Sequence, residues 1–113
     1  MNETEHLLVI LGEECAEVAK ETSKALRFGE DEVMPGQLLT NRERILRELN
    51  DLWAIVEMLN LQHVDRGAIE CKKAKVAKFM AYAEQCGTLT PNAELSGGGL
   101  PPSDSAAGRS NTR

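Results

Sequence analysis

Two short acidic motifs hold most of the chemistry this chain can offer. Glu13-Glu14-Cys15-Ala16-Glu17 and Glu48-Leu49-Asn50-Asp51 each contain an acid-x-x-acid pair. Residues three apart on a helix lie about one turn from each other and share a side. Glu14 with Glu17, and Glu48 with Asp51, can therefore each direct two carboxylates at one ion. Two such helices side by side bring four oxygen-bearing groups to one pocket, the hard-ligand set that Mg²⁺ or Mn²⁺ prefers. The number of pairs says little, because 18 acids in 113 residues give about three by chance. Their positions say more. Glu14 follows Leu11 by three residues and precedes Val18 by four, while Glu48 and Asp51 border the Leu49, Leu52 and Val56 stripe. Both pairs fall at the margin of an apolar face. Crowded carboxylates repel, and a divalent cation offsets this directly, whereas salt bridges to Lys20, Lys24 or Arg47 offset it less completely.

Cationic and aromatic side chains are the next candidates. Lys24 and Arg27 close the helix that bears Glu14 and Glu17, where they are placed to meet phosphate. Lys72, Lys75, Phe79 and Tyr82 share one side of a later helix and could grip phosphate and stack a base. The plainer reading of that side is a basic face snorkelling over core. Trp53 goes with the Leu49/Val56 stripe and is expected in the core. His63 has no partner at metal spacing, and Glu3-x-x-His6 is a lone ExxH where di-iron bundles use two. Gly97-Gly98-Gly99 does not lie between a strand and a helix, so it is not a phosphate loop. Cys15, Cys71 and Cys86 are odd in number and widely spaced without CxxC. They suggest neither a disulfide framework nor a zinc site, and are expected to be buried or half-buried thiols.

Three helices are needed to carry these residues. Leu7, Leu11, Val18 and Ala25 recur at helical spacing over 3–27, with Lys20, Lys24 and Arg27 towards the C-terminal end and Gly29 as the stop. Glu30, Asp31, Glu32 and the Pro35-Gly36 turn signal make the next stretch an exposed acidic connection. Thr40-x-x-Glu43 resembles a capping box and precedes Ile45, Leu49, Leu52, Val56 and Leu59, which define the second helix. The pattern breaks around Asp65 and Gly67. Ile69, Val76, Phe79, Met80 and Ala83 then define a third helix ending near Gly87. From Pro91 to Arg113, eleven of twenty-three residues are Gly, Pro or Ser and the apolar ones have no period. This predicts one all-α domain over 1–90 and a disordered tail over 91–113.

Composition limits what such a chain can do. Hydrophobic residues make up 42% but aromatics only 4%, so the core must come from aliphatic stripes on helices. A net charge of -5 argues against nucleic acid as a partner, since duplex binding requires a basic stripe. No apolar run reaches the ~20 residues of a membrane span and no basic-then-apolar leader opens the chain, so a cytoplasmic location is expected. About three long helices expose more apolar stripe than they can cover among themselves. A helical bundle completed by oligomerisation, as a homodimer or homotetramer, is the expected remedy.

The order EExxE, a spacer, then ExxD resembles the MazG-like all-α nucleoside triphosphate pyrophosphohydrolases over roughly residues 6–63, and more weakly through the third helix. Thirty residues separate Glu17 from Glu48, slightly more than the usual spacer of that family, and the Glu30–Gln37 stretch absorbs the excess. The resemblance implies that Glu14, Glu17, Glu48 and Asp51 bind Mg²⁺ and are the catalytic residues. It further implies that a nucleoside triphosphate is the substrate, hydrolysed to monophosphate and pyrophosphate, and that oligomerisation completes the bundle. Because the metal pairs are also similar to those of the dimeric dUTPases, the nucleobase stays open. Two other readings stay open beside it. One is a helical bundle that binds nucleotides without turnover, and the other is a structural interaction module whose acids are merely solvated.

Overall fold

The computed structural model describes residues 1–91. They form three α-helices in chain order, α1 (Glu3–Phe28), α2 (Asn41–Met58) and α3 (Arg66–Gln85), with no strand among them. The expected all-α fold of three helices is thus observed. Apart from Pro91, the expected tail lies outside the described residues. None of the three helices is long and apolar enough to cross a membrane.

Each helix end has a local cause. At the start of α1, Asn2 Oδ1 accepts from the Glu5 N–H and Glu5 Oε1 accepts from the Asn2 N–H, a reciprocal capping box. Gly29 ends α1 at φ 106°, where its N–H still reaches the Ala25 carbonyl at 2.9 Å. The Thr40/Glu43 box expected from the sequence starts α2, with bonds of 3.1 and 2.9 Å. The helix stops at Asn60, whose φ of 59° lets its own N–H and that of Leu61 fold back onto Glu57 and Val56. Asn is one of the few side chains that take this left-handed turn readily. Asp65 caps α3 by accepting from the Ala68 N–H, so that helix begins ahead of the apolar pattern and takes in Gly67.

The chain divides into two compact units, Met1–Val64 and a second that begins at Asp65. In the first unit α1 and α2 pack as a hairpin. The half-buried and buried positions of α1 are Leu7, Ile10, Leu11, Glu14, Glu17, Val18, Glu21, Lys24 and Ala25. They step by three and four residues along one stripe, apolar at its start and acidic in the middle. The matching stripe of α2 is Asn41, Arg44, Ile45, Glu48, Leu52, Ile55 and Val56. Here the sequence reading needs correction. Leu49 and Trp53, expected in the core, point away from this stripe and are 43% and 45% exposed. The side of α2 turned to α1 is the one that places Arg44 against Glu21, and Leu49 and Trp53 lie round the helix from it. Ala25 is the only hydrophobic side chain classed as buried among the described residues.

In the second unit, α3 ends on a tight reversal. The N–H groups of Gly87 and Thr88 bond to the Glu84 and Ala83 carbonyls, with Gly87 at φ 81°. No residue of α3 is buried. The expectation for the cysteines is also corrected: Cys15, Cys71 and Cys86 are all exposed free thiols. Cys15 sits one residue, or about 100°, round α1 from Glu14 and so leaves the inner stripe.

Candidate functional site

The connection 29–40 sets how the two acid-bearing helices meet. Asn41 is fully buried, and its Nδ2 donates to the Gly29 carbonyl at 2.9 Å and to Glu32 Oε1 at 2.8 Å. Its backbone N–H donates to the Glu32 carbonyl, and that of Arg42 to the Glu30 carbonyl, both at 3.0 Å. Arg42 also pairs with Glu30 at 2.6 Å. One end of the connection is thereby tied to the other, and the first turn of α2 is fixed beside the last turn of α1.

From there the facing residues follow in register. Arg44 meets Glu21 through a two-toothed contact, Nε to Oε1 and a terminal nitrogen to Oε2, each at 3.0 Å. One turn further, carboxylate oxygens of Glu17, Glu21 and Glu48 lie within 4.8 Å of one another, and beyond them so do those of Glu14, Glu48 and Asp51. Ascending α1 by three or four residues corresponds to descending α2 by three or four, as an antiparallel pair demands. The four acids singled out in the sequence therefore fall in two neighbouring groups that share Glu48, Glu14 and Asp51 in one and Glu17 in the other. Glu14, Glu17 and Glu48 are half-buried, and Asp51 is exposed.

Charge is unevenly compensated along this row. Glu21 is 2% exposed, gripped by Arg44 and approached by Lys24 at 3.6 Å. The hydrogen bonds from Arg44 hold the Glu21 carboxyl below the ordinary carboxylate value, outweighing desolvation, and Glu21 in turn raises the Arg44 guanidinium. Glu14 shows the opposite. Desolvation first, and then the charges of Asp51, Glu48, Glu17 and Glu13, push its carboxyl up. Glu17 has an exposed pair with Lys20 at 3.7 Å. No ion pair among the described residues includes Glu14, Glu48 or Asp51. Carboxylates gathered without an ion-paired cation, two of them half-buried and Asp51 exposed, are a donor set that suits a small hard cation. Oxygens around Mg²⁺ sit about 3–4 Å apart at a metal–oxygen distance of about 2.1 Å, and the oxygens within each group lie within 4.8 Å of one another.

The other candidates fare differently. Lys24 is engaged with Glu21 rather than free for phosphate. Arg27 lies over the Phe28 ring, 5.0 Å from its centre. Lys72 and Lys75 belong to the second unit, where with Val76, Phe79, Met80, Ala83, Thr88 and Leu89 they line an open groove of about 500 Å³. Tyr82, expected beside them, does not line it. It lies about two turns beyond Lys75 and is 62% exposed. Sequence reasoning missed the roles of Asn41, Gln37 and Arg44. Arg44, not Arg47, is the cation that answers the acids. The signal was its spacing four residues before Glu48, the counterpart of Glu21 four after Glu17. No family model, curated protein or solved structure matches the chain.

Proposed function

We propose that the chain is a Mg²⁺-dependent nucleotide pyrophosphohydrolase, converting a nucleoside triphosphate to monophosphate and pyrophosphate. The observation that carries this reading is the convergence of Glu14, Glu48 and Asp51, with Glu17 adjoining, none of the first three being in an ion pair among the described residues. The order of the acidic motifs, with its resemblance to the MazG-like enzymes, supplies the substrate class.

Glu14, Glu17, Glu48 and Asp51 would hold the cation, with Mn²⁺ able to replace Mg²⁺. When bound, the ion neutralises phosphate oxygens and makes attack by water on phosphorus feasible near neutral pH. The chain's own carboxylates orient that water and take the proton it releases as the bond from the α-phosphorus to the bridging oxygen breaks and pyrophosphate departs. Half-burial of Glu14, Glu17 and Glu48 limits competing solvation. The exposed large apolar side chains, Leu46, Leu49 and Trp53 on α2 and Val76, Phe79 and Met80 on α3, fit an assembly of two or four copies.

Melting curves with and without Mg²⁺, paired with pyrophosphate release across the nucleoside triphosphates, test the reading. Metal at a hundredfold excess over Kd stabilises by about 2.7 kcal/mol, of order 10 °C in a domain of this size. Glu14→Gln and Asp51→Asn keep size while removing one charge, and each is expected to fold without metal, lose that shift and lose nearly all hydrolysis. Full activity in either variant would remove the metal assignment, and wild-type chain indifferent to Mg²⁺ would favour solvated acids.

A further inference from the structure

Resting on the metal reading above, we propose that Arg44, through its fork on Glu21, is the positioning residue that holds the carboxylates of α1 and α2 at cation-binding separation. Among the described residues, the two Arg44–Glu21 bonds are the only side-chain hydrogen bonds that join α1 to α2. Apolar packing between the helices is mostly half-buried, and Ala25 is the single buried hydrophobic residue among the described residues. A planar guanidinium bonded to both oxygens of one carboxylate sets distance and rotation together, which a point charge does not. The fork stands one turn from Glu17 on α1 and one turn from Glu48 on α2, so its geometry passes directly to the acids. Gln37 accepts from Arg44 Nη1 and ties the same guanidinium to the connection.

The fork also decides which acids are available. Glu21 reaches the group formed with Glu17 and Glu48 and would otherwise add another charge to it. Arg44 occupies both Glu21 oxygens, leaving the ligand role to Glu14, Glu17, Glu48 and Asp51. The pair holds the two helices together at the point where like charges would part them.

A purely electrostatic role for Arg44 predicts the opposite outcome, which makes the proposal testable. A cation near Glu48 competes with a metal, so its removal would tighten binding. Mn²⁺ binding to the full chain, followed through the spectrum of free Mn²⁺ by electron paramagnetic resonance, separates the two. Arg44→Lys keeps the charge and loses the fork; it is expected to weaken Mn²⁺ binding about tenfold, a difference of about 1.4 kcal/mol. Arg44→Met is expected to weaken it further. Circular dichroism confirms that the binding is measured on folded protein. If a single variant does not fold, Glu21→Met/Arg44→Leu removes both charges together, avoids a lone buried ion and is read in the same way. Unchanged or tighter binding in the folded variants, with the wild type binding Mn²⁺, overturns this proposal alone. A wild type that binds no Mn²⁺ overturns the metal reading and this proposal with it.

Discussion

Asn41 offers a severe test of how the acid-bearing hairpin is held, because its side chain is wholly buried and its amide group is used unequally. Nδ2 makes both its bonds, to the Gly29 carbonyl and to Glu32 Oε1, while Oδ1 is buried without a partner. In Asn41→Ala, a neutral bond and a bond to a charged group are lost, together about 2–4 kcal/mol, but the orphan oxygen goes too, returning about 1–3 kcal/mol. The net cost is of order 1 kcal/mol. Asn41→Asp is nearly identical in shape and far worse. It loses the same donors, keeps a buried acceptor and places a second carboxylate against Glu32. An uncompensated buried charge costs about 3–5 kcal/mol, a large share of the 5–15 kcal/mol that holds a typical domain together. Urea denaturation at pH 7, at fixed chain concentration, is expected to rank wild type, Ala variant and Asp variant in falling order of stability. The Asp variant should recover towards the Ala variant as pH falls, because a protonated carboxyl donates again to the Gly29 carbonyl or to Glu32. An Asp variant as stable as the Ala variant at pH 7 would show that the Asn41 bonds do not fasten the connection.

Metal-free stability should also follow the two oppositely shifted acids of α1. The folded value of Glu14 is raised, so its ionisation works against folding as pH rises from 4.5 through that raised value; Glu14→Gln should exceed wild type most at pH 7 and converge with it near pH 4.5. A difference independent of pH would refute the crowding of charge at this site. The folded value of Glu21 is lowered, so its stabilisation is present above 4.5 and is lost as pH falls through the lowered value; Glu21→Gln should be least stable relative to wild type above pH 4.5, with the gap closing in stronger acid. Light scattering at micromolar concentration is expected to give a mass of two or four chains, and a stable monomer would leave the exposed Leu46, Trp53, Phe79 and Met80 without the proposed cover.

What was legible in the sequence was what depends on neighbours along the chain. The Thr40/Glu43 box, the stop at Gly29, the end near Gly87 and the Leu7-to-Ala25 stripe are all consequences of contacts within a turn or two, and each stands in the structure. The acid pairs were legible for the same reason, since three-residue spacing fixes direction within one helix. Rotation of α2 about its own axis was not legible. A stripe of Ile45, Leu49, Leu52 and Val56 is as apolar as one of Ile45, Leu52, Ile55 and Val56, so hydrophobic periodicity alone does not choose between facing Leu49 inward and facing Glu48 inward.

A polar contact across a long sequence separation makes that choice. Glu21 and Arg44 are 23 residues apart, and their fork forms only when α2 presents the Arg44, Glu48 and Leu52 side to α1. In that rotation Glu48 joins both acidic groups, and Leu49 and Trp53 are left outside. The exposed apolar face and the gathered acids are thus two results of one rotation. Bringing charge inward is unfavourable for a single hairpin, and it moves apolar surface to where a second copy can cover it. It follows that a cation at the acids and a neighbour over Leu49 and Trp53 favour the same rotation of α2, so each should tighten the other's binding by the same factor.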